Sequence, residues 1–235
     1  MSVALITGAS RGLGRALASA LAERGWDLVL DARSAGALED AAEELRGRYG
    51  SRVAAVAGDV TDAGHRAELA EAARGLGGLD LLVSNASALG AEPLVRLEEL
   101  AEDGLRQALE TNVVAALGLV RRTLPLLRAS AAGTVVVVSS DAAAEPYETW
   151  GGYGASKAAL DQLAAVLGVE EPGLRVWSVD PGDMRTALYA AAVPDDDGPR
   201  PLPERVAPAF LRLLDRRPPS GRYTAGALPA AGEER

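Results

Sequence analysis

At 235 residues, 48% of them hydrophobic, the chain is long enough to bury a large core in one α/β domain, and its composition is not that of a disordered protein. A formal net charge of −9 with no basic cluster argues against a nucleic-acid partner, and the absence of cysteine excludes disulfides, thiolate metal sites and thiol catalysis. The single histidine, His65, is read as an exposed helix residue; no metal site is expected, although carboxylates alone could hold a hard cation.

Residues 3–7 form an apolar strand with no basic stretch ahead of it, and no long apolar run follows, so a cytoplasmic protein with no membrane partner is expected. Directly behind it, Thr7 to Gly14 reads Thr-Gly-Ala-Ser-Arg-Gly-Leu-Gly and leads into a helix over 14–24. Glycines at 8, 12 and 14 let the chain turn sharply and approach a ligand without a Cβ, and the free N–H groups of a helix start suit a pyrophosphate. Leu17 stands where a GxGxxG pattern would place its last glycine.

A second strand over 28–31 leads into Ala32-Arg33, which sets Asp31 and Arg33 where an adenosine ribose would lie. Asp31 would hydrogen-bond ribose hydroxyls and select NAD. Arg33, joined by Arg11 from the glycine turn, would pair with a 2′-phosphate, and two arginines against one aspartate favour NADP(H). After a helix over 38–48, the third strand over 53–57 closes on Gly58-Asp59-Val60. Asp59 either accepts the adenine amino group or, like Asp62, caps the helix over 65–74.

A fourth strand spans 79–84, and residues 93–127 form the longest helical region, with Leu97, Leu100, Leu105, Leu109, Val113 and Leu117 along one stripe. Gly104 and Gly118 weaken it as an isolated helix but permit close packing, which makes it and the next helix candidate subunit-interface elements. Within it, Asn112 offers a buried amide that either holds a water in a proton path or completes local backbone bonds.

The fifth strand, over 135–139, leads into Ser140 on the ligand side of a parallel sheet, and thirteen residues later Tyr153 begins a helix over 153–167. Tyr153 and Lys157, four apart, share a helix face. A neighbouring ammonium and a positive oxidised nicotinamide would both lower the phenol from its usual pKa of about 10, and Lys157 could also hydrogen-bond a nicotinamide-ribose hydroxyl. Lys157 is the single lysine among 24 basic residues, kept where a compact ammonium does what a guanidinium cannot. Ser140 can reach the same substrate oxygen as Tyr153.

A sixth strand over 176–179 precedes Pro181-Gly182. Prolines at 194, 199, 201, 203 and 208 preclude one regular element, so 184–208 is read as an irregular substrate-side segment, followed by a short helix around 209–215 and an edge strand near Arg222-Tyr223. Tyr147, Trp150 and residues 188–203 should line the substrate pocket, with Asp195 to Asp197 either joining them or forming a solvated loop. The alternating elements imply an α/β fold, a doubly wound parallel sheet of about seven strands with helices on both faces (Rossmann-type), as a single domain over 1–235.

On these residues the chain resembles, over essentially its whole length, the classical short-chain dehydrogenase/reductase family. The family's TGxxxGxG element stands as Thr7 to Gly14, its adenine-site aspartate as Asp59, its YxxxK as Tyr153 to Lys157, and its PG turn as Pro181-Gly182. The resemblance implies a catalytic set of Asn112, Ser140, Tyr153 and Lys157. It implies cofactor contacts from Gly8, Ser10, Arg11, Gly12, Leu13 and Gly14 in the turn, and from Arg33, Asp59 and Val60 at the adenosine end. Asn85, Ala86, Pro181, Gly182 and Thr186 would complete that site with Tyr153 and Lys157. The position where an acid dictates NAD holds Ala32, while the NADP-associated basic positions hold Arg11 and Arg33, which implies NADP(H) and demotes Asp31.

Two departures stand out. The family's Asn-Asn-Ala-Gly is Ser84-Asn85-Ala86-Ser87 here, so Ser87 sets a side chain beside the cofactor path, and either the backbone fits an L-residue or cofactor binding weakens. Little chain also follows Gly221-Arg222-Tyr223 to cover a site. The expected activity is hydride transfer between NADP(H) and a small-molecule carbonyl or alcohol, as a carbonyl reductase in a homodimer or homotetramer. The alternatives are an NAD-linked alcohol dehydrogenase and a weakly active cofactor-sensing or protein-binding scaffold.

Overall fold

The computed structural model describes residues 1–228; residues 229–235, the end of the expected domain, lie outside the described residues. Seven strands form one sheet: β1 (Val3–Ile6), β2 (Asp27–Ala32), β3 (Val53–Ala57), β4 (Leu81–Ser84), β5 (Thr134–Val138), β6 (Arg175–Asp180) and β7 (Gly221–Thr224). Their order is β3-β2-β1-β4-β5-β6-β7, and every neighbouring pair is parallel. The chain steps outward from β1 to β3 and then returns to place β4 on the other side of β1. Loops diverge at that reversal and open a crevice beyond the strand C-termini.

The strands alternate between two cores, which is why they read as continuous apolar runs. Ala4, Ile6, Leu28 and Leu30 face α1 (Gly12–Glu23), α2 (Ala35–Tyr49) and α8 (Pro203–Arg216), packing with Leu17, Leu38 and Phe210. Val3, Leu5, Val29 and Leu82 point the other way, onto Leu69 of α3 (Ala63–Leu76), Leu119 of α5 (Ala115–Ala129) and Leu160 of α6 (Gly151–Glu170). Fully burying each Val, Leu, Ile or Phe side chain among these contributes roughly 1.5–3 kcal/mol.

Three sequence expectations need correction. Residues 93–127 are not one helix: the regular part starts at α4 (Glu102–Leu109), passes through a π turn over Glu110–Val114, and continues as α5. The extra residue per turn rotates the register. The buried face therefore runs through Ala108, Asn112, Ala115, Ala116 and Leu119, while Leu117 is 44% exposed; Leu97 lies ahead of α4 and is 72% exposed. Gly104 and Gly118 serve packing inside the chain, since added Cβ atoms would meet Gly90 O at 2.0 Å and Arg66 Nε at 2.6 Å.

The proline-rich segment is less irregular than expected. A short α7 (Ala187–Ala192) forms, and α8 begins at Pro203, where a missing N–H costs nothing because no acceptor precedes the first turn. His65 is buried at 6%, not exposed. Its ring lies against Gly58, where a Cβ would stand 2.3 Å from Nδ1, and that contact turns it inward toward β2.

Candidate active site

A single cleft of about 720 Å³ runs along the crevice, from Gly8, Arg33 and Asp59 past Ser140, Tyr153 and Lys157 to Leu188, Tyr189 and Ala192. At its nucleotide end the turn between β1 and α1 is fixed by the neighbouring strand loop. The Thr7 hydroxyl accepts from Asn85 N and Ala86 N, both at 2.9 Å, and Asn85 Nδ2 donates to Thr7 O at 2.8 Å and Gly8 O at 3.3 Å. Gly8 and Gly12 take φ of +66° and +58°, conformations an L side chain rarely adopts. Gly14 lets helix and turn close up, since a Cβ there would sit 2.4 Å from Gly8 O. Arg11, the residue before α1, makes no capping hydrogen bond, so the first-turn N–H groups of α1 have no side-chain acceptor. A dinucleotide pyrophosphate fits this arrangement, with Ser10, Gly12 and Leu13 lining it and Thr186 opposite Gly12.

The adenosine end separates the competing acid and bases. Asp31 is 1% exposed; its Oδ1 lies 2.6 Å from His65 Nε2, and its Oδ2 accepts from Gly8 N at 3.4 Å. Burial raises its pKa, against the lowering influence of the His65 hydrogen bond. With both oxygens engaged beneath the glycine turn, Asp31 is committed to the protein. Arg11 and Arg33 line the cleft and are exposed, and their guanidinium groups make no hydrogen bond or ion pair among the described residues. Asp62 is the α3 cap, accepting from Gly64 N and His65 N at 2.5 and 2.9 Å. Asp59 accepts from Thr61 N and Oγ1 at 2.9 and 2.8 Å, both on Oδ1, and lines the cleft together with Val60.

At the reacting end α6 buries both residues of the Tyr-Lys pair, at 6% and 2% exposure. Burial pushes the Tyr153 phenol up to about 12, opposed by the nearby Ser87 hydroxyl and reinforced by the charges of Asp141 and Asp180. Burial pulls the Lys157 ammonium down to about 8, with Asp161 opposing. Lys157 Nζ donates to Val138 O at 2.8 Å and stands 5.5 Å from the Tyr153 ring centre. The lowering of the phenol expected from the sequence is not found: desolvation holds it above its ordinary value.

Ser140 lines the cleft with Tyr153, yet its hydroxyl donates to Asp141 Oδ1 at 3.0 Å and accepts from Ala142 N at 3.2 Å. Asn112 sits in the π turn, 1% exposed, behind the cleft wall. Its amide is saturated: Nδ2 donates to Ala88 O at 2.9 Å and Ser156 Oγ at 2.8 Å, while Oδ1 accepts from Ala88 N at 2.8 Å and Ser87 Oγ at 3.2 Å. The side chain thus ties the π turn to the loop after β4 and to α6, and not to its own neighbouring backbone. Ser87 is not among the non-glycine residues with positive φ, so the backbone accommodates an L-residue where the family pattern has glycine.

Beyond the reacting residues the wall is aromatic and aliphatic. Trp150 meets Tyr153 edge-on at 5.6 Å and Tyr189 at 6.3 Å, beside Leu188 and Ala192. Tyr147 is half-exposed and donates to Asp141 Oδ2 at 3.1 Å without lining the cleft. Asp195 to Asp197 are exposed and also lie off the cleft. Asp196 pairs with Arg200, whose guanidinium lies 3.9 Å over the Tyr189 ring, so this loop buttresses the wall from outside. Sequence reasoning missed Asp141, which engages Ser140; its position directly after the serine was the available signal. Among the described residues no group of three His, Asp or Glu is arranged to hold a metal, and no helix is long and apolar enough to cross a membrane.

The family model described as short chain dehydrogenase matches residues 2–197. The sepiapterin reductase of Rattus norvegicus is 38% identical over 204 residues, covering 81% of this chain and 77% of its own length. An uncharacterised oxidoreductase of Saccharomyces cerevisiae is 33% identical over 235 residues, covering 96% and 89%. An alcohol dehydrogenase of Thermococcus sibiricus, complexed with 5-hydroxy-NADP, superposes with a TM-score of 0.86 at 30% identity, covering 100% of this chain and 98% of that one.

Proposed function

Because the chain belongs to the classical short-chain dehydrogenase/reductase family and is an NADP(H)-dependent oxidoreductase, we propose that it works as a carbonyl reductase with Tyr153 as its proton donor. The observation that carries this reading is that Tyr153, Lys157 and Ser140 line the same cleft as the glycine turn. NADPH, when bound, supplies the hydride. The phenol, held protonated at neutral pH by burial, gives its proton to the developing alkoxide. Ser140 polarises the carbonyl once its hydroxyl turns from Asp141 to the substrate oxygen. Lys157, fixed on Val138 O, holds a positive charge beside the phenol and stabilises the phenolate that remains. Arg11 and Arg33 receive the 2′-phosphate.

The substrate end takes an uncharged, partly flat carbonyl compound, since Trp150 and Tyr189 give it aromatic faces. An NAD-linked dehydrogenase is disfavoured by the commitment of Asp31 to His65. The assembled Tyr153, Lys157 and Ser140 set disfavours a scaffold without chemistry. We further propose a homodimer or homotetramer, with the exposed Val114, Leu117, Val166 and Val169 of the π turn, α5 and α6 covered by a second copy.

The test is NADPH consumption with benzaldehyde, acetophenone, cyclohexanone and, on account of the rat relative, sepiapterin. Turnover of at least one compound is expected, reduced by about 10² to 10⁴-fold in Tyr153→Phe. Wild-type turnover in that variant would refute the assignment.

A further inference from the structure

Asp141 directly follows Ser140, opens the short turn Asp141–Ala143 behind β5, and lines the cleft together with Ser140, Trp150 and Tyr153. Its carboxylate is held from two sides: Oδ1 accepts from Ala142 N at 2.8 Å, and Oδ2 accepts from the Tyr147 hydroxyl at 3.1 Å. The Ser140 hydroxyl is a third donor, on Oδ1 at 3.0 Å. An ionised carboxylate offers about four lone-pair sites and no proton, so Asp141 is an acceptor fixed beside the serine oxygen.

This arrangement bears on what the cleft accepts. For Ser140 to polarise a carbonyl, its hydrogen must leave Asp141 for the substrate oxygen, and the carboxylate then lacks a donor on the side facing the serine. A substrate that brings its own donor to that place restores the bond, and a hydroxyl on the carbon next to the carbonyl has the right reach. Two oxygens on adjacent carbons, turned to the same side, stand roughly 2.7–3.0 Å apart, the length of a hydrogen bond. Ser140 Oγ and Asp141 Oδ1 are 3.0 Å apart. Asp180 and Asp183 also line the cleft but face other partners: Asp180 accepts from Gly182 N at 2.9 Å and lies 3.8 Å from Arg222, while Asp183 lies 3.9 Å from Arg200. Their charge adds to that of Asp141 in disfavouring a carboxylate where the hydroxyl would sit.

We propose that Asp141 selects the substrate: the protein reduces carbonyl compounds with a hydroxyl on the adjacent carbon, the carbonyl oxygen resting on Tyr153 and Ser140 and the hydroxyl donating to Asp141. The carbonyl carbon gains the hydride that NADPH supplies, its oxygen takes the Tyr153 proton, and the hydroxyl keeps its own proton, so the product is a 1,2-diol. The proposal rests on the reading of the chain as a carbonyl reductase with Tyr153 as proton donor, and it narrows the substrate of that reaction.

The experiment compares kcat/KM for NADPH consumption with 2-hydroxyacetophenone, 2-methoxyacetophenone, acetophenone and benzoylformate in wild type, Asp141→Ala and Asp141→Asn. The methoxy compound keeps an electron-withdrawing oxygen beside the carbonyl but has no donor. One hydrogen bond to a charged acceptor should favour the hydroxy over the methoxy ketone by at least about tenfold in wild type, with benzoylformate the poorest of the four. Asp141→Ala should bring that ratio within about threefold of unity. Asp141→Asn, which keeps an acceptor oxygen without the charge, should fall between. A merely structural role for Asp141 would lower the rates with every ketone alike and leave the ratio where it was.

Equal kcat/KM for the hydroxy and methoxy ketones in wild type, reduction of acetophenone without reduction of the hydroxy ketone, or a wild-type ratio kept in the variants would overturn the proposal while leaving the carbonyl reductase reading in place. Should Asp141→Ala not fold, the ratio in Asp141→Asn decides alone. Undiminished turnover in Tyr153→Phe would instead bring down the reading of Tyr153 and this proposal with it.

Discussion

The two halves of the cleft are built by different means. The nucleotide half is backbone: a turn held by Thr7 and Asn85, positive φ at Gly8 and Gly12, and helix N–H groups without a side-chain acceptor. The reacting half consists of buried side chains whose protonation is set by desolvation, with the phenol at about 12 and the ammonium at about 8. Backbone geometry does not change with protonation, whereas ionisation of buried groups depends on the charges near them. The first half is therefore fixed by the fold and the second is set by its electrostatic surroundings.

The largest effect that would sharpen this contrast is in the pH dependence of stability. In the unfolded chain Lys157 has its ordinary value of 10.5, while in the folded chain burial brings it to about 8. Below the folded value both states carry the ammonium, and the folded state bears the full cost of burying it. That cost is relieved as pH rises from about 8 toward 10.5. Tyr153 acts in the opposite sense: raised to about 12, it favours folding fully below its ordinary 10.0, and that contribution fades only above it. In urea unfolding the wild type should gain on Lys157→Met by on the order of 2–3 kcal/mol between about pH 8 and pH 10. Parallel profiles would show that Lys157 is not desolvated.

A smaller effect is expected from disturbing the backbone half alone. Gly14→Ala forces a methyl to within 2.4 Å of Gly8 O, and backbone must move to admit it. The expected loss is about 1–3 kcal/mol of stability with weakened NADPH binding. An unaltered melting temperature and unaltered NADPH affinity would mean that the close approach of turn and helix is not required.

The same contrast explains what the sequence revealed. Strands buried on both faces and a glycine turn between strand and helix are local patterns, so the sheet, the turn and the Tyr153–Lys157 spacing were legible. The π turn was not, because the residues 93–127 carry helical composition throughout and the register change depends on where Asn112 finds partners in Ala88 and Ser156. His65 is misplaced by the sequence because its partner Asp31 lies 34 residues away, and only the fold shows that Gly58 leaves room for its ring. Ser87 was visible as a departure from the family pattern, but its bond to Asn112 follows from tertiary structure alone. α8 reads too short in the sequence because Pro203 has the look of a breaker, whereas it is the first helical residue.

The measurement that bears most directly on the account is a fluorescence titration of the cofactor-free protein with NADPH and NADH at matched ionic strength, in wild type and in Arg11→Ala/Arg33→Ala. If the two free guanidinium groups receive a 2′-phosphate, wild type binds NADPH at least about tenfold more tightly than NADH, and the double variant brings the two affinities within about threefold. Tighter binding of NADH by the wild type, or a preference for NADPH unchanged in the double variant, would contradict the account.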